Sequence, residues 1–197
     1  MKHAPWLLLL LAVLAGCATA PPPPPPHLGR AVAVLPPNNL TGNPLVVTGA
    51  GLIDRYVRHA DVVTVPDVLL SEARSQLQER GFQVTSRAAV DTALKDRQPT
   101  SPESAADLAA QGGLKHLVLY LEIRRWEPDR PGHTAFVIVG LGASLIDPST
   151  GTVVWKEDRR AAPVATPGEI TSQAASVTAA RKVIKEMLEP LRPDVSP

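Results

Sequence analysis

Apolar residues alternate between two spacings along this chain, and the alternation predicts its elements. Residues 30–35 are a short, mostly apolar run ended by Pro36 and Pro37, which predicts a buried strand. Between 66 and 80 the spacing changes to four, and Leu69, Ala73 and Leu77 form one stripe of a helix. Pro66 suits its first turn, Asp67 lies near the positive end of its dipole, and Gly81 stops it. Residues 82–85 form a second strand, and short helices follow over 87–96 and from Ser101 to the glycine pair 112–113. Residues 114–124 and 134–146 are long apolar strands, the second apolar on both faces and therefore central. Gly140 and Gly142 share one of its faces, which suggests close packing or a bulge. A turn at 147–151 leads to a fifth strand at 153–155. Thr166, Pro167, Gly168 and Glu169 read as a capping box opening a last helix, lined by Ile170, Ala174, Val177, Ile184, Leu188 and Leu191 and interrupted by Arg181. The order β α β α α β β β α predicts an α/β single domain over 30–192. Its mixed five-stranded sheet is a βαβ unit, with a right-handed crossover expected, followed by an antiparallel β-meander. Helices pack it, a long C-terminal helix closes it, and 193–197 is a tail. Residues 45–65 fit either a short hairpin or an irregular insert.

The amino terminus has a different pattern. Lys2 and His3 precede an apolar run over 6–14, too short for a bilayer span of ~20 residues. A charged start, a short apolar stretch and small residues describe a secretory signal. Leu14, Ala15, Gly16 and Cys17 resemble the bacterial lipobox. That resemblance implies cleavage between Gly16 and Cys17, a signal peptide over 1–16, and acyl chains on Cys17. One acyl chain anchors only marginally, so stable attachment takes more than one. Residue 18 is Ala rather than the Asp that retains such proteins in the inner membrane, which implies the periplasmic face of the outer membrane. Residues 21–26 are six consecutive prolines. In polyproline II geometry they form a rod of roughly 19 Å. Segment 17–29 is thus a lipidated cysteine followed by a spacer; a ligand for an aromatic groove is the alternative.

Composition excludes several classes of function. The chain has 197 residues, of which 44% are hydrophobic and 20% charged, so wholesale disorder is not expected. Lys plus Arg is 20 and Asp plus Glu is 19; loss of Lys2 with the signal balances them at 19 each. No basic excess exists to bind nucleic acid. One cysteine excludes an internal disulfide and a multi-cysteine metal site. His3, His27, His59, His116 and His133 are scattered, with no second ligand at helical spacing, so no metal site is expected. Residues 140–142 touch the dinucleotide-binding glycine pattern but lie inside a strand, and no phosphate loop or nucleophile elbow occurs. No cofactor is expected. Asp54, His59 and Asp61 fit a solvated polar loop better than an acid–base group.

The opening AVAVLPPNN, the helix end Leu77-Gln78-Glu79-Arg80-Gly81-Phe82 and the later SLIDPSTGTVVW together resemble the TolB amino-terminal-like and CsgG-like envelope lipoproteins over about residues 31–160. The chain departs from that pattern at 44–65. The resemblance implies a protein that is not an enzyme and acts by protein–protein binding, as a scaffold or accessory of envelope assembly or transport. An activator of a cell-wall synthase and a periplasmic hydrolase are the alternatives. Residues 44–65 carry Arg55, Arg58, His59 and Asp61 and are too broken for a membrane-spanning hairpin, so this chain alone is not expected to form a pore. In an antiparallel meander the ends of the third and fifth strands meet at one sheet edge. That gathers Arg124, Arg125 and Trp126 with Lys156, Arg159 and Arg160 as a partner or self-association surface, since Arg and Trp are enriched at interface hot spots. Glu127, Asp129, Glu157 and Asp158 sit among them, so a self-neutralised loop end is the other expectation.

Overall fold

A computed structural model describes residues 29–47, 62–130 and 133–193. The signal, Cys17, the proline rod and the Asp54, His59 and Asp61 group lie outside the described residues. Strand β1 (Ala31–Val34) pairs in parallel with both β5 (Gln83–Val84) and β6 (Leu117–Arg130). Antiparallel pairing continues from β6 to β7 (His133–Asp147) and from β7 to β8 (Thr152–Ala165). The sheet order is therefore β5-β1-β6-β7-β8, a βαβ unit joined to a meander. Strand β2 (Asn38–Asn39) also pairs with β6, so the sheet has six strands rather than five. Its two asparagines carry no apolar signal, so no hydrophobic pattern marks it. Strands β3 (Val46–Val47) and β4 (Val63–Thr64) pair antiparallel, and residues 48–61 between them lie outside the described residues.

Helix α1 (Val65–Glu79) begins as its sequence predicts. The Thr64 side chain accepts from the Asp67 N–H, the Asp67 carboxylate accepts from the Thr64 N–H at 3.2 Å, and Pro66 occupies the first turn. Leu69, Ala73 and Leu77 are fully buried. They pack with α4 (Ser172–Met187) on one face of the sheet, against Leu119, Leu121, Ile123, Val139 and Leu141. Burying each such Leu or Ile contributes about 2 kcal/mol. Helices α2 (Arg87–Leu94) and α3 (Pro102–Gln111) cover the opposite face through Val90, Leu94, Ala105, Ala106 and Ala109. Their cluster reaches only Ala33, Leu35, Val118, Tyr120 and Ile146. Among the described residues, the carboxyl-terminal half of β6, with the parts of β7 and β8 beside it, has helices on one face and none on the other.

Three boundaries differ from the sequence pattern. β6 continues beyond residue 124 to Arg130, and β8 runs over Thr152–Ala165 rather than 153–155. These extensions have one open face and charged residues, so they lack the apolar run that marks a buried strand. The last helix starts at Ser172, capped by the Thr171 hydroxyl, not at residue 166. Thr166 is fully buried and committed to the sheet: its N–H donates to the Ala135 carbonyl at 2.8 Å and its hydroxyl donates to the Thr134 carbonyl. Pro167 and Gly168 form a turn, with Gly168 at φ +80°. Ile170 consequently leaves the helical stripe and is 93% exposed.

Candidate interaction surface

The uncovered face is shaped by two bulges that meet at one glycine. Along β6 the pairing runs Glu122 to Gly142 and Ile123 to Leu141, then skips Arg124 and resumes as Arg125 to Gly140. On the other side, β8 slips between Arg159, paired with Leu141, and Ala162, paired with Val139. Gly140 is therefore flanked by an extra residue on each side. A Cβ there would lie 3.3 Å from the Arg125 Cβ and 3.4 Å from the Ala161 Cβ, so the missing side chain accommodates both irregularities.

The first bulge decides which residues face the surface. Alternation from Ile123, which points into the core, would put Arg125 inside and Trp126 outside. The extra residue reverses this phase. Trp126 is 4% exposed and joins the core with Val137 and Val139, its indole N–H directed at the Ser176 hydroxyl at 3.4 Å. Arg124 and Arg125 both remain exposed. Trp126 is thus removed from the surface that sequence reasoning assembled, because simple alternation does not anticipate a bulge.

The remaining charges are organised. Arg124 donates to Glu122 at 2.8 Å through Nη2 and to Asp158 through Nη1, while Lys156 reaches Asp158 at 3.1 Å. The guanidinium crosses β7 over Gly142, where a Cβ would lie 2.7 Å from Arg124 Nη2. Arg125 pairs with Glu127 at 2.7 Å. Hydrogen bonding to Glu122 first, and then Asp158, raises the Arg124 pKa. Lys156 first, and then Arg124, lower that of Asp158. Arg159 points to the helical face instead and bonds Glu186 of α4 at 2.7 Å. Arg160 is exposed in the second bulge. The structure therefore joins Arg124 to Lys156 through Asp158, with Arg125 beside them, and separates Arg159 and Trp126 from them. Glu122, Asp158 and Gly142 complete the network. Sequence reasoning treated the glycine as a packing feature, and only the strand register shows its part. Exposed ion pairs of this kind contribute about 0–1 kcal/mol each to stability. Their consequence is a fixed charge pattern on an open sheet face, and such patterns govern partner choice and orientation.

Two hydrogen bonds of Asn38 lie beside this network. Tyr120 is fully buried, and its hydroxyl accepts from the Asn38 amide at 3.1 Å. The same amide donates to the Thr100 carbonyl at 3.1 Å. Burial raises the Tyr120 pKa above the usual phenol range, and the nearby Glu122 adds to the rise while Asn38 opposes it. The PPNN segment thereby ties the turn before α3 to β6, two residues from Glu122. Asn38→Ala is expected to lower stability by about 1–2 kcal/mol, because it removes the donor from the buried Tyr120 hydroxyl and from the Thr100 carbonyl. The shift in urea midpoint, at unchanged slope, measures it.

Among the described residues no three His, Cys, Asp or Glu side chains come together to hold a metal ion, and no helix is long and apolar enough to cross a membrane. No family model matches the sequence, and no curated protein does. Solved structures similar to the folded chain include the PelC dodecamer from Paraburkholderia phytofirmans, at 20% identity and a TM-score of 0.48 over 86% of this chain and 95% of that one. Lipoprotein GNA1162 from Neisseria meningitidis is similar at 18% identity and a TM-score of 0.45, over 82% of this chain and 99% of that one. The chain is also similar to the LpoB C-terminal domain from Salmonella enterica, at 16% identity and a TM-score of 0.39, over 71% of this chain and 85% of that one.

Proposed function

We propose that this chain is a lipid-anchored periplasmic accessory or scaffold of the TolB-N/CsgG-like type, serving an envelope assembly or transport system by protein–protein binding. The observation that carries the proposal is the half of the β6–β8 sheet that no described element covers, where Gly142 lets Arg124 bridge Glu122 and Asp158. The amino-terminal lipobox resemblance supplies the location, and Ala18 favours the outer membrane. Lipid attachment restricts the domain to a thin layer, which raises its effective concentration toward membrane-bound partners. The proline rod limits how far the domain reaches. No catalytic step belongs to this reading. The partner is another envelope protein or a second copy of this chain.

The test is capture of native complexes from mildly solubilised envelopes through a carboxyl-terminal tag. The wild-type chain is expected to run as a defined homo-oligomer or with a stable partner. Arg124→Glu combined with Arg125→Glu inverts the charge pattern without touching the core, and is expected to abolish that complex while leaving the melting temperature within a few degrees. Identical complexes from both proteins would falsify the assignment of this face.

A further inference from the structure

We propose that the pole where the chain enters the domain binds the phosphate of anionic lipid head groups, and so sets the direction in which the open β6–β8 face points. This rests on the lipid-anchored reading of the amino terminus. At the amino-terminal ends of β1 and β6 lies a cavity of about 570 Å³, lined by Arg30, Lys115 and His116 together with Gln83, Asp147 and Ser149. Arg30 precedes β1 and the Lys115-His116 pair precedes β6. Parallel pairing of Val32 with Leu117 brings these distant positions to one end of the sheet.

What sets this pole apart is that two cations outside any ion pair line one cavity. Arg87, Arg124, Arg125, Lys156, Arg159 and Arg181 each sit in an ion pair. Among the described residues, Arg30, Lys115 and His116 sit in none. The acid in the cavity is committed to a turn: Asp147 Oδ1 accepts from the Ser149 N–H at 2.8 Å and from the Ser149 hydroxyl at 2.6 Å. Further round this pole, where Gly81 faces Pro193, Arg80 and Arg192 are accompanied by Glu79 and Glu189, so the positive excess is concentrated in the cavity. Two cations set against one carboxylate, whose Oδ1 is already occupied by Ser149, leave the concavity net positive, which attracts an anion, and phosphate suits Arg and Lys.

Position identifies the source of that phosphate. Gly29 follows Cys17 by only twelve residues, six of them the proline rod of roughly 19 Å. The cavity is therefore the part of the domain nearest the anchor along the chain. A rod held at one end by acyl chains can tilt, and contacts from Arg30 and Lys115 to head groups favour the tilted state. The opposite end of the sheet then faces away from the bilayer.

The experiment uses the full mature chain carrying Cys17→Ser, with phosphatidylcholine vesicles prepared with or without phosphatidylglycerol. Binding is expected only with the anionic lipid and is expected to weaken with salt. Each cation near an anionic surface contributes about fivefold to partitioning, so Arg30→Glu with Lys115→Glu is expected to lower binding at least about tenfold. Arg160→Glu with Lys182→Glu makes the same charge change away from the cavity and is expected to retain binding. Equal losses in both double variants would show an effect of net charge alone and overturn the site. Displacement by inorganic phosphate, but not by chloride at matched ionic strength, would assign the cavity to a free phosphate and overturn the membrane role. The mass of the mature amino-terminal peptide from cells is read separately. A Cys17 without acyl chains overturns the anchor and the choice of a membrane phosphate, while the vesicle series judges the cavity by itself.

Discussion

Trp126→Ala is expected to lower folding stability by about 4 kcal/mol, the middle of the range for emptying a buried Trp site. For a domain of this size that corresponds to a fall of roughly 12 °C in melting temperature. The indole is 4% exposed and packs between the bulged part of β6 and α4. Its hydrogen bond to Ser176 is long at 3.4 Å, so most of the loss is packing rather than polar. Trp126→Phe keeps a ring in the site and is expected to recover more than half of the loss. The same variants separate a core role from an interface role. A hot-spot Trp on the surface would lower partner affinity at nearly constant melting temperature. A core Trp lowers the melting temperature, and complex formation fails only where the domain itself unfolds. Calorimetry of the two variants beside the Arg124→Glu/Arg125→Glu protein makes the comparison, and an unchanged melting temperature for Trp126→Ala would place the indole outside the core.

Trp126 also shows where the sequence was legible and where it was not. The βαβ unit could be read because each step carries its own signal: the run closed by Pro36, the Leu69, Ala73 and Leu77 stripe, the stop at Gly81, and the apolar strands with a covered face. The signal fails where burial is one-sided and charges replace apolar residues, as along Lys156, Asp158 and Arg160 in β8. It fails again where one residue changes phase. Arg124 adds a residue opposite no partner, and the side chains from Arg125 to Pro128 change face. The cluster of arginines was visible in the composition of 124–126, but its arrangement was not, because Glu122, Gly142 and Asp158 lie on three different strands and meet only through the register. The same holds for the cavity at the anchor pole. Arg30 and Lys115 have no relation in sequence until parallel pairing of β1 and β6 makes them neighbours.

Gly112→Ala is expected to cost about 3 kcal/mol, the upper part of the usual range for overpacking. Gly112 follows α3 with an ordinary φ of −77°, so conformational freedom is not what the position requires. It requires space. A Cβ would lie 2.5 Å from the Ala93 carbonyl oxygen and 2.8 Å from the Ala93 carbonyl carbon, both backbone atoms of α2 that cannot swing aside. Gly113→Ala is the contrasting case: nothing lies within 4 Å of its added carbon, but its φ is +76°. Its cost is expected to be about 1 kcal/mol, from backbone strain alone. The difference between the two measures how tightly α2 and α3 are joined, and that joint determines how much of the sheet they cover. Their cluster ends at Tyr120 and Ile146, and the charged face begins where it ends. In Gly112→Ala, hydrogen exchange is expected to quicken in α2 and α3 while β6–β8 stay protected by α1 and α4, and partner capture through Arg124 is expected to persist. Uniform acceleration over the whole sheet would mean that its two sides open as one unit, and that the charged face depends on the helical cover beside it.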